Sequence, residues 1–143
     1  MSLIDGSKKM SKSDPNEGSR INLLDTPEII TKKIKRAKSD SYIGIEFNNP
    51  ERAESKNLLM IYSILSGKDI SQCENEFSET GWGTFKKLIA EQLIESLTPI
   101  QEKYKVLIND PHQLNNILQD GREKAEDLAN KTLKRVKSKL GFI

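Results

Sequence analysis

Only one cysteine, Cys73, and one histidine, His112, occur among the 143 residues. A lone thiol cannot close an internal disulfide, and no Cys/His cluster has metal-ligand spacing, so a disulfide scaffold and a zinc module are both excluded. The pattern suits a reducing, intracellular compartment, with Cys73 expected as a buried, inert thiol. No apolar run approaches the roughly 20 residues that span a bilayer, and the N-terminus lacks the basic-then-apolar order of a secretory signal. A cytoplasmic protein with no membrane partner is expected. Surplus charge is also missing: 23 Lys and Arg stand against 21 Asp and Glu, a net +2 that does not by itself mark a nucleic-acid binder. Internal repeats, low-complexity tracts and sustained period-two alternation are absent as well, which argues against strands.

What the chain does have is helical periodicity behind an irregular start. Residues 1–25 carry two glycines, Pro15 and five serines, and read as loop after a short apolar beginning at Leu3 and Ile4. Thr26-Pro27 is a helix start: the hydroxyl caps free N–H groups and the proline sits where no N–H is needed. Ile30, Ile34 and Ala37 then share one face, to about Ser39. Asn49-Pro50 repeats that start signal before Leu58, Ile61, Tyr62 and Leu65, and the stripe stops at Gly67. Asp69 caps a short helix through Phe77, and Gly81-Trp82-Gly83 reads as a turn. A long amphipathic helix follows over Phe85, Leu88, Ile89, Leu93, Leu97, Ile100, Tyr104 and Leu107, with a kink expected near Leu97 because Pro99 removes one backbone bond. Asp110 opens a brief helix through Leu118, and Ala125 to Leu140 forms a last one closed by Gly141. The fold class is therefore all-α, a helical bundle preceded by an N-terminal loop. Its length suffices for a core that needs no staples.

Chemistry concentrates in the loop. Lys8-Lys9-Met10-Ser11-Lys12-Ser13 places three ammonium groups and two hydroxyls within six residues, flanked by Gly6 and by Asp14-Pro15-Asn16. Lysines are mobile point charges that follow an anion, and serine hydroxyls and loop N–H groups supply short donors to phosphate oxygens. Spacing alone leaves open whether the loop grips phosphates or is merely solvated.

The string Lys9-Met10-Ser11-Lys12-Ser13 resembles the signature of class I aminoacyl-tRNA synthetases, and the run to Asn16 with Asn22-Leu23-Leu24-Asp25 is similar to their tryptophanyl branch. Ser55 to Gly67, Gly81 to Lys87, Pro99 to Tyr104 and Ala125 to Gly141 continue the resemblance in order along nearly the whole chain. Members of the tyrosyl branch usually carry phenylalanine and glycine inside the corresponding loop, where this chain has Met10 and Ser11.

The resemblance implies activation of tryptophan by ATP, with Mg²⁺ carried on the ATP phosphates, and transfer of the acyl group to tRNA(Trp). It implies Lys12 as the residue that meets charge growing on the leaving pyrophosphate, and Lys9 as a second phosphate contact. Ser11 and Ser13 become donors or loop-shaping residues, and Met10 an apolar anchor against the nucleotide-binding domain. Lys8 is a steering charge outside the motif. Residues 1–25 would then be the loop and the end of a Rossmann-like nucleotide-binding domain, with Met1 to Ile4 the tail of its last strand and Met1 an internal methionine of the parent. Residues 26–143 would be a C-terminal helical domain of anticodon-binding type. The family's histidine-containing string, and with it the adenine and tryptophan sites, is absent, so the chain alone is not expected to aminoacylate. The parent is expected to be a homodimer.

Lys32, Lys33, Lys35, Arg36 and Lys38 crowd one short helix against a single acidic residue, Glu28. Such a face either contacts tRNA phosphates, with salt-dependent affinity, or is solvated with cations favoured at the helix C-terminus. Lys131, Lys134, Arg135, Lys137 and Lys139 fit the second description. Trp82 either stacks on a base, a contact worth about 1–3 kcal/mol, or plugs a loop onto the bundle. His112 reads as an exposed or capping residue. Two other readings stand beside a ligase fragment. One is a stand-alone helical RNA-binding module with a relic loop, and the other is a helical interaction protein without nucleic-acid function.

Overall fold

A computed structural model describes residues 1–142. Five helices follow in order: α1 Pro27–Arg36, α2 Ala53–Ser66, α3 Ile70–Glu76, α4 Trp82–Ile108 and α5 Pro111–Leu140. A single 3-10 turn at Glu17–Ser19 precedes them, and no strand occurs among the described residues, as the all-α reading requires. The strand tail expected at Met1 to Ile4 is irregular chain instead.

The helices begin and end where local chemistry says they should. Thr26 Oγ1 accepts from the N–H of Ile29, with Pro27 in the first turn of α1. Asp69 and Gln72 form a reciprocal capping box on α3. Gly67 ends α2 at φ 70°, a left-handed conformation that a Cβ would disfavour. Four expectations need correction. α1 stops at Arg36 rather than Ser39, because Ala37 turns away with ψ 141°. The α2 start lies at Ala53, since Asn49 uses its side chain in a tight turn to the N–H of Glu51 and its carbonyl on the N–H of Arg52. Trp82 and Gly83 are the first turn of α4 rather than a separate turn, and the helix runs on through Pro99. Finally, Leu118 and Ala125 belong to one continuous α5, which passes through Gly121.

The chain divides into two compact units, Met1–Gln101 and Glu102–Ile143. In the first, Ile30 and Ile34 of α1, Leu58, Leu59 and Tyr62 of α2, Cys73 and Phe77 near α3, and Phe85, Ile89 and Leu93 of α4 form one buried core. Tyr62 meets Phe77 edge-on at 4.9 Å, and Phe77 meets Phe85 at 4.7 Å. Each such pair is worth about 0.5–1.5 kcal/mol beyond its buried area. The Cys73 thiol is buried, and that burial pushes its pKa up, as an inert structural cysteine requires. The second unit contains the end of α4 and all of α5. No residue of α5 is buried; its polar side chains are laced by pairs one turn apart, Arg122 with Glu126, Lys124 with Asp120 and Lys131 with Asp127.

Candidate functional site

The lysine-serine loop is built on a closed base. The N–H of Leu3 donates to the carbonyl of Ser19 at 2.9 Å, and the carbonyl of Leu3 accepts from Lys38 N–H at 2.8 Å. Asn57 of α2 donates to the carbonyl of Ser2, and Gly6 lies so close to α2 that a Cβ there would stand 2.6 Å from the carbonyl atoms of Ala53. Past the loop, Arg20 donates to the carbonyl of Asp14 and to the side chain of Asn22. The carboxamide of Gln101, on α4, donates to the carbonyls of Leu23 and Asp25. Both ends are thus fastened to the helical core while the middle stays out.

Within that frame Lys9, Ser11, Lys12 and Ser13 are exposed and Met10 is half-buried. Met10 packs on the hydrophobic core of its own unit, an anchor for the loop from the helical side. The hydroxyls of Ser11 and Ser13 lie 3.1 Å apart, and the N–H of Asp14 turns back to the carbonyl of Ser11. Lys8 is paired with Asp5 at 3.3 Å, whereas Lys9 and Lys12 have no carboxylate partner among the described residues. Bonds from the Ser7 hydroxyl and N–H, then from Lys8, pull the Asp5 carboxyl down to about 2, so that its charge persists. Two of three lysines therefore remain available to an anion.

The basic helix is more divided than its composition suggests. Lys32, Lys35 and Arg36 are exposed. Lys33 instead turns inward, its Nζ 2.5 Å from the buried carboxylate of Asp25. Burial alone would raise the Asp25 carboxyl, but Lys33 and the Asn22 amides outweigh it and hold it below the ordinary range. Lys38 lies beyond the end of α1 and pairs with Glu54 at 2.8 Å. That bond raises the ammonium and lowers the carboxyl, helped by the N–H of Gly6.

Trp82 packs against Phe85 and donates its indole N–H to Asp40 at 3.1 Å. Asp40 in turn holds the almost fully buried guanidinium of Arg52 through two bonds of 2.8 and 3.0 Å, and Arg52 also donates to the carbonyl of Gly44. The indole thus pins the loop between α1 and α2, as the plug reading expects. It also shares a groove of about 390 Å³ with Lys35, Gly83, Lys86 and Lys87. Lys86 is buried, its Nζ donating to the carbonyl of Ala37 at 2.6 Å and to the hydroxyl of Ser39, and burial lowers its pKa. His112 is exposed at the start of α5 beside Asn116, with Asp110 as the cap.

The sequence pattern assigns no role to Gln101, Arg52 or Lys86. Lys86 left a trace, since it falls on the stripe shared by Trp82, Ile89 and Leu93. The others did not, because their partners lie far away in the chain.

A family profile described as tRNA synthetases class I (W and Y) matches residues 1–98, and the chain belongs to that family. Within it the similarity is to enzymes for tryptophan. The chain is 79% identical over 142 residues to a protein named tryptophan–tRNA ligase from Prochlorococcus marinus subsp. pastoris. It is 49% identical to the chloroplastic/mitochondrial tryptophan–tRNA ligase of Arabidopsis thaliana. Those matches cover 99% of this chain but 42% and 35% of the two relatives. A crystal structure of tryptophanyl-tRNA synthetase from Mycoplasma pneumoniae superposes with a TM-score of 0.86 at 31% identity, over 99% of this chain and 43% of that one.

Proposed function

We propose that this chain supplies the phosphate-gripping loop and a tRNA-facing helical region of an enzyme that joins tryptophan to tRNA(Trp) at the expense of ATP. The observation that carries the reading is the loop itself: Lys9 and Lys12 are exposed with no carboxylate partner among the described residues, while Lys8 is tied to Asp5. As the tryptophan carboxylate attacks the α-phosphate, negative charge moves to the departing pyrophosphate. A cation that meets that charge more strongly than it meets ground-state ATP lowers the barrier. Lys12 takes this role, Lys9 grips the phosphates, and in the Ser11–Ser13 hydroxyl pair the one that accepts keeps its O–H free to donate to a phosphate oxygen. Met10 holds the loop down between turnovers. Closure and opening of such a loop is a common gating step.

ATP enters as its Mg²⁺ complex, the ion keeping several waters and needing few protein ligands. Residues 1–25 belong functionally to the nucleotide-binding part, and residues 26–143 face the tRNA. Lys32, Lys35 and Arg36 provide the exposed phosphate contacts, while Lys33 and Lys38 support the fold. The rest of the site, including the tryptophan pocket, lies in the portion that the relatives have and this chain does not match. The whole enzyme works in the cytoplasm as a homodimer, and no helix of the described residues is long and apolar enough to cross a membrane.

The test places this chain in the full-length 79%-identical relative in exchange for its matching segment and measures tryptophan-dependent ATP–pyrophosphate exchange. Lys12→Ala should reduce kcat by about 100-fold or more, the scale of losing one transition-state contact, with a smaller effect on KM. An unchanged kcat would remove Lys12 from the mechanism.

A further inference from the structure

Lys12 hangs from a bracket, residues 14–20, that closes on itself. The Asp14 carboxylate accepts from the N–H of Asn16 at 2.8 Å, the Asn16 carboxamide oxygen accepts from the N–H of Gly18 at 2.9 Å, and the Asn16 carbonyl accepts from the N–H of Ser19 at 3.0 Å. Pro15 fixes one of its own dihedrals and confines Asp14 to extended backbone. The bracket is rooted at Ser19, which is buried and whose carbonyl takes the N–H of Leu3. Arg20 closes it: from the position just after that root, its guanidinium reaches back to the carbonyl of Asp14 at 2.8 Å. On the other side of Asp14, its N–H turns back to the carbonyl of Ser11, so Lys12 and Ser13 lie in a turn whose far end Arg20 holds.

The same guanidinium is itself held in place. Its Nε donates to the carboxamide oxygen of Asn22 at 3.2 Å, and Asn22 donates its N–H and its amide to the carboxylate of Asp25, the partner of Lys33 on α1. A run of hydrogen bonds thus leads from the turn that carries Lys12 to the start of the basic helix. Arginine suits the junction, because a planar fork bonded to two acceptors is fixed in direction as well as distance, whereas a lysine ammonium is a mobile point charge. A cation that stabilises a transition state must stand where the charge develops, and a misplacement of about 1 Å can cost about 100-fold in rate. The Lys12 side chain is long and exposed, so the backbone turn is what aims it. Resting on the reading above in which Lys12 meets the departing pyrophosphate, we propose that Arg20 is the positioning residue for Lys12. It acts by holding the Ser11 to Asp14 turn and not by touching ATP. Neither Arg20 nor its partners Asp14 and Asn22 belong to the hydrophobic core, so the helical fold does not depend on this clasp.

A double-mutant cycle in the full-length chimaera tests this, with tryptophan-dependent ATP–pyrophosphate exchange measured for Arg20→Met, for Lys12→Ala and for the two together. Arg20→Met should lower kcat about tenfold, with KM for ATP changed by less than about twofold and thermal unfolding unmoved. In the Lys12→Ala background the same substitution should change kcat by less than about twofold, because a residue that acts through Lys12 then has nothing left to position. Arg20→Lys can keep the bond to the Asp14 carbonyl but loses the fork, so it should recover part of the rate. Its smaller loss should also vanish in the Lys12→Ala background, which decides the question if the methionine variant misfolds. Equal losses in both backgrounds would overturn the proposal and give Arg20 a phosphate contact of its own. An unchanged kcat in Arg20→Met beside an impaired Lys12→Ala would also overturn it while leaving the role of Lys12 intact. A fully active Lys12→Ala would defeat that role and the proposal with it.

Discussion

The side-chain amide of Gln101 donates to the backbone carbonyl of Asp25 at 3.0 Å and, with the same nitrogen, to that of Leu23 at 2.8 Å. Two residues 76 apart in sequence thereby fix the exit of the lysine-serine loop to α4. Each such bond contributes about 1 kcal/mol net. Gln101→Ala should therefore cost about 1–2 kcal/mol in urea unfolding, and trypsin should cut after Arg20 faster because the segment downstream is released. Equal cleavage rates in the two proteins would mean that the amide does not restrain the loop.

Lys33 and Lys32 are adjacent and chemically identical, but their surroundings differ. Lys33 is 11% exposed and paired with an Asp25 side chain that is 9% exposed, whereas Lys32 points to solvent. Removing one partner of a buried pair leaves an uncompensated charge and costs about 3–5 kcal/mol. Lys33→Met should reach the lower part of that range, because Asn22 also bonds Asp25. Lys32→Met should change stability by less than about 0.5 kcal/mol. The order reverses for RNA: Lys32→Met should flatten the salt dependence of tRNA binding by about one phosphate contact, and Lys33→Met should not.

Acid should loosen the Trp82 plug. Burial tends to raise the Asp40 carboxyl, but Arg52, the N–H of Tyr42 and the Trp82 indole outweigh it, so the folded-state pKa lies below the ordinary 3.8. A depressed carboxyl contributes stability that is fully present above its unfolded pKa and is lost as pH falls through the folded one. Urea midpoints followed by Trp82 emission should hold above about pH 5 and decline below about pH 4. In Asp40→Asn that decline should be shallower, and the protein less stable at neutral pH because Arg52 loses its charged partner. An acid limb of equal slope in both proteins would assign the transition to other carboxylates.

Which parts of this protein were legible in sequence follows from how far each interaction reaches. Thr26-Pro27, the Asp69–Gln72 box and Gly67 act within one helical turn, and each marked an element end. Lys33 was legible in principle, since it sits beside Ile34 on the stripe of Ile30 and Ala37, but composition drew all five basic residues into one surface. Arg52 depends on Asp40, and Lys86 on the carbonyl of Ala37, partners that only the fold brings near. The lysine-serine loop was visible as a motif because its residues are consecutive. The fastening that leaves Lys9 and Lys12 free while holding Leu3, Gly6 and Asp25 was not.

Two glycines show the same divide and predict opposite outcomes. Two helices were expected on either side of Gly121, yet α5 continues through it, spanned by one-turn contacts from Gln119 to Glu123 and from Asp120 to Lys124. A Cβ at Gly121 meets nothing within 4 Å, so Gly121→Ala should gain helix stability of about 1 kcal/mol, seen as a higher midpoint for loss of far-ultraviolet helical signal. Gly6 lies in an ordinary-looking loop, but a Cβ there would stand 2.6 Å from backbone atoms of Ala53 and 2.8 Å from the N of Glu54. Backbone at a helix start cannot yield as a flexible side chain does, so Gly6→Ala must push the loop root off α2, at about 1–3 kcal/mol. It should also move the loop root away from Glu54, the partner of Lys38. In the full-length chimaera this variant should lower the rate of pyrophosphate exchange with Lys9 and Lys12 both intact. Unchanged exchange in a destabilised protein would mean that the position of the loop root does not govern the reach of those lysines.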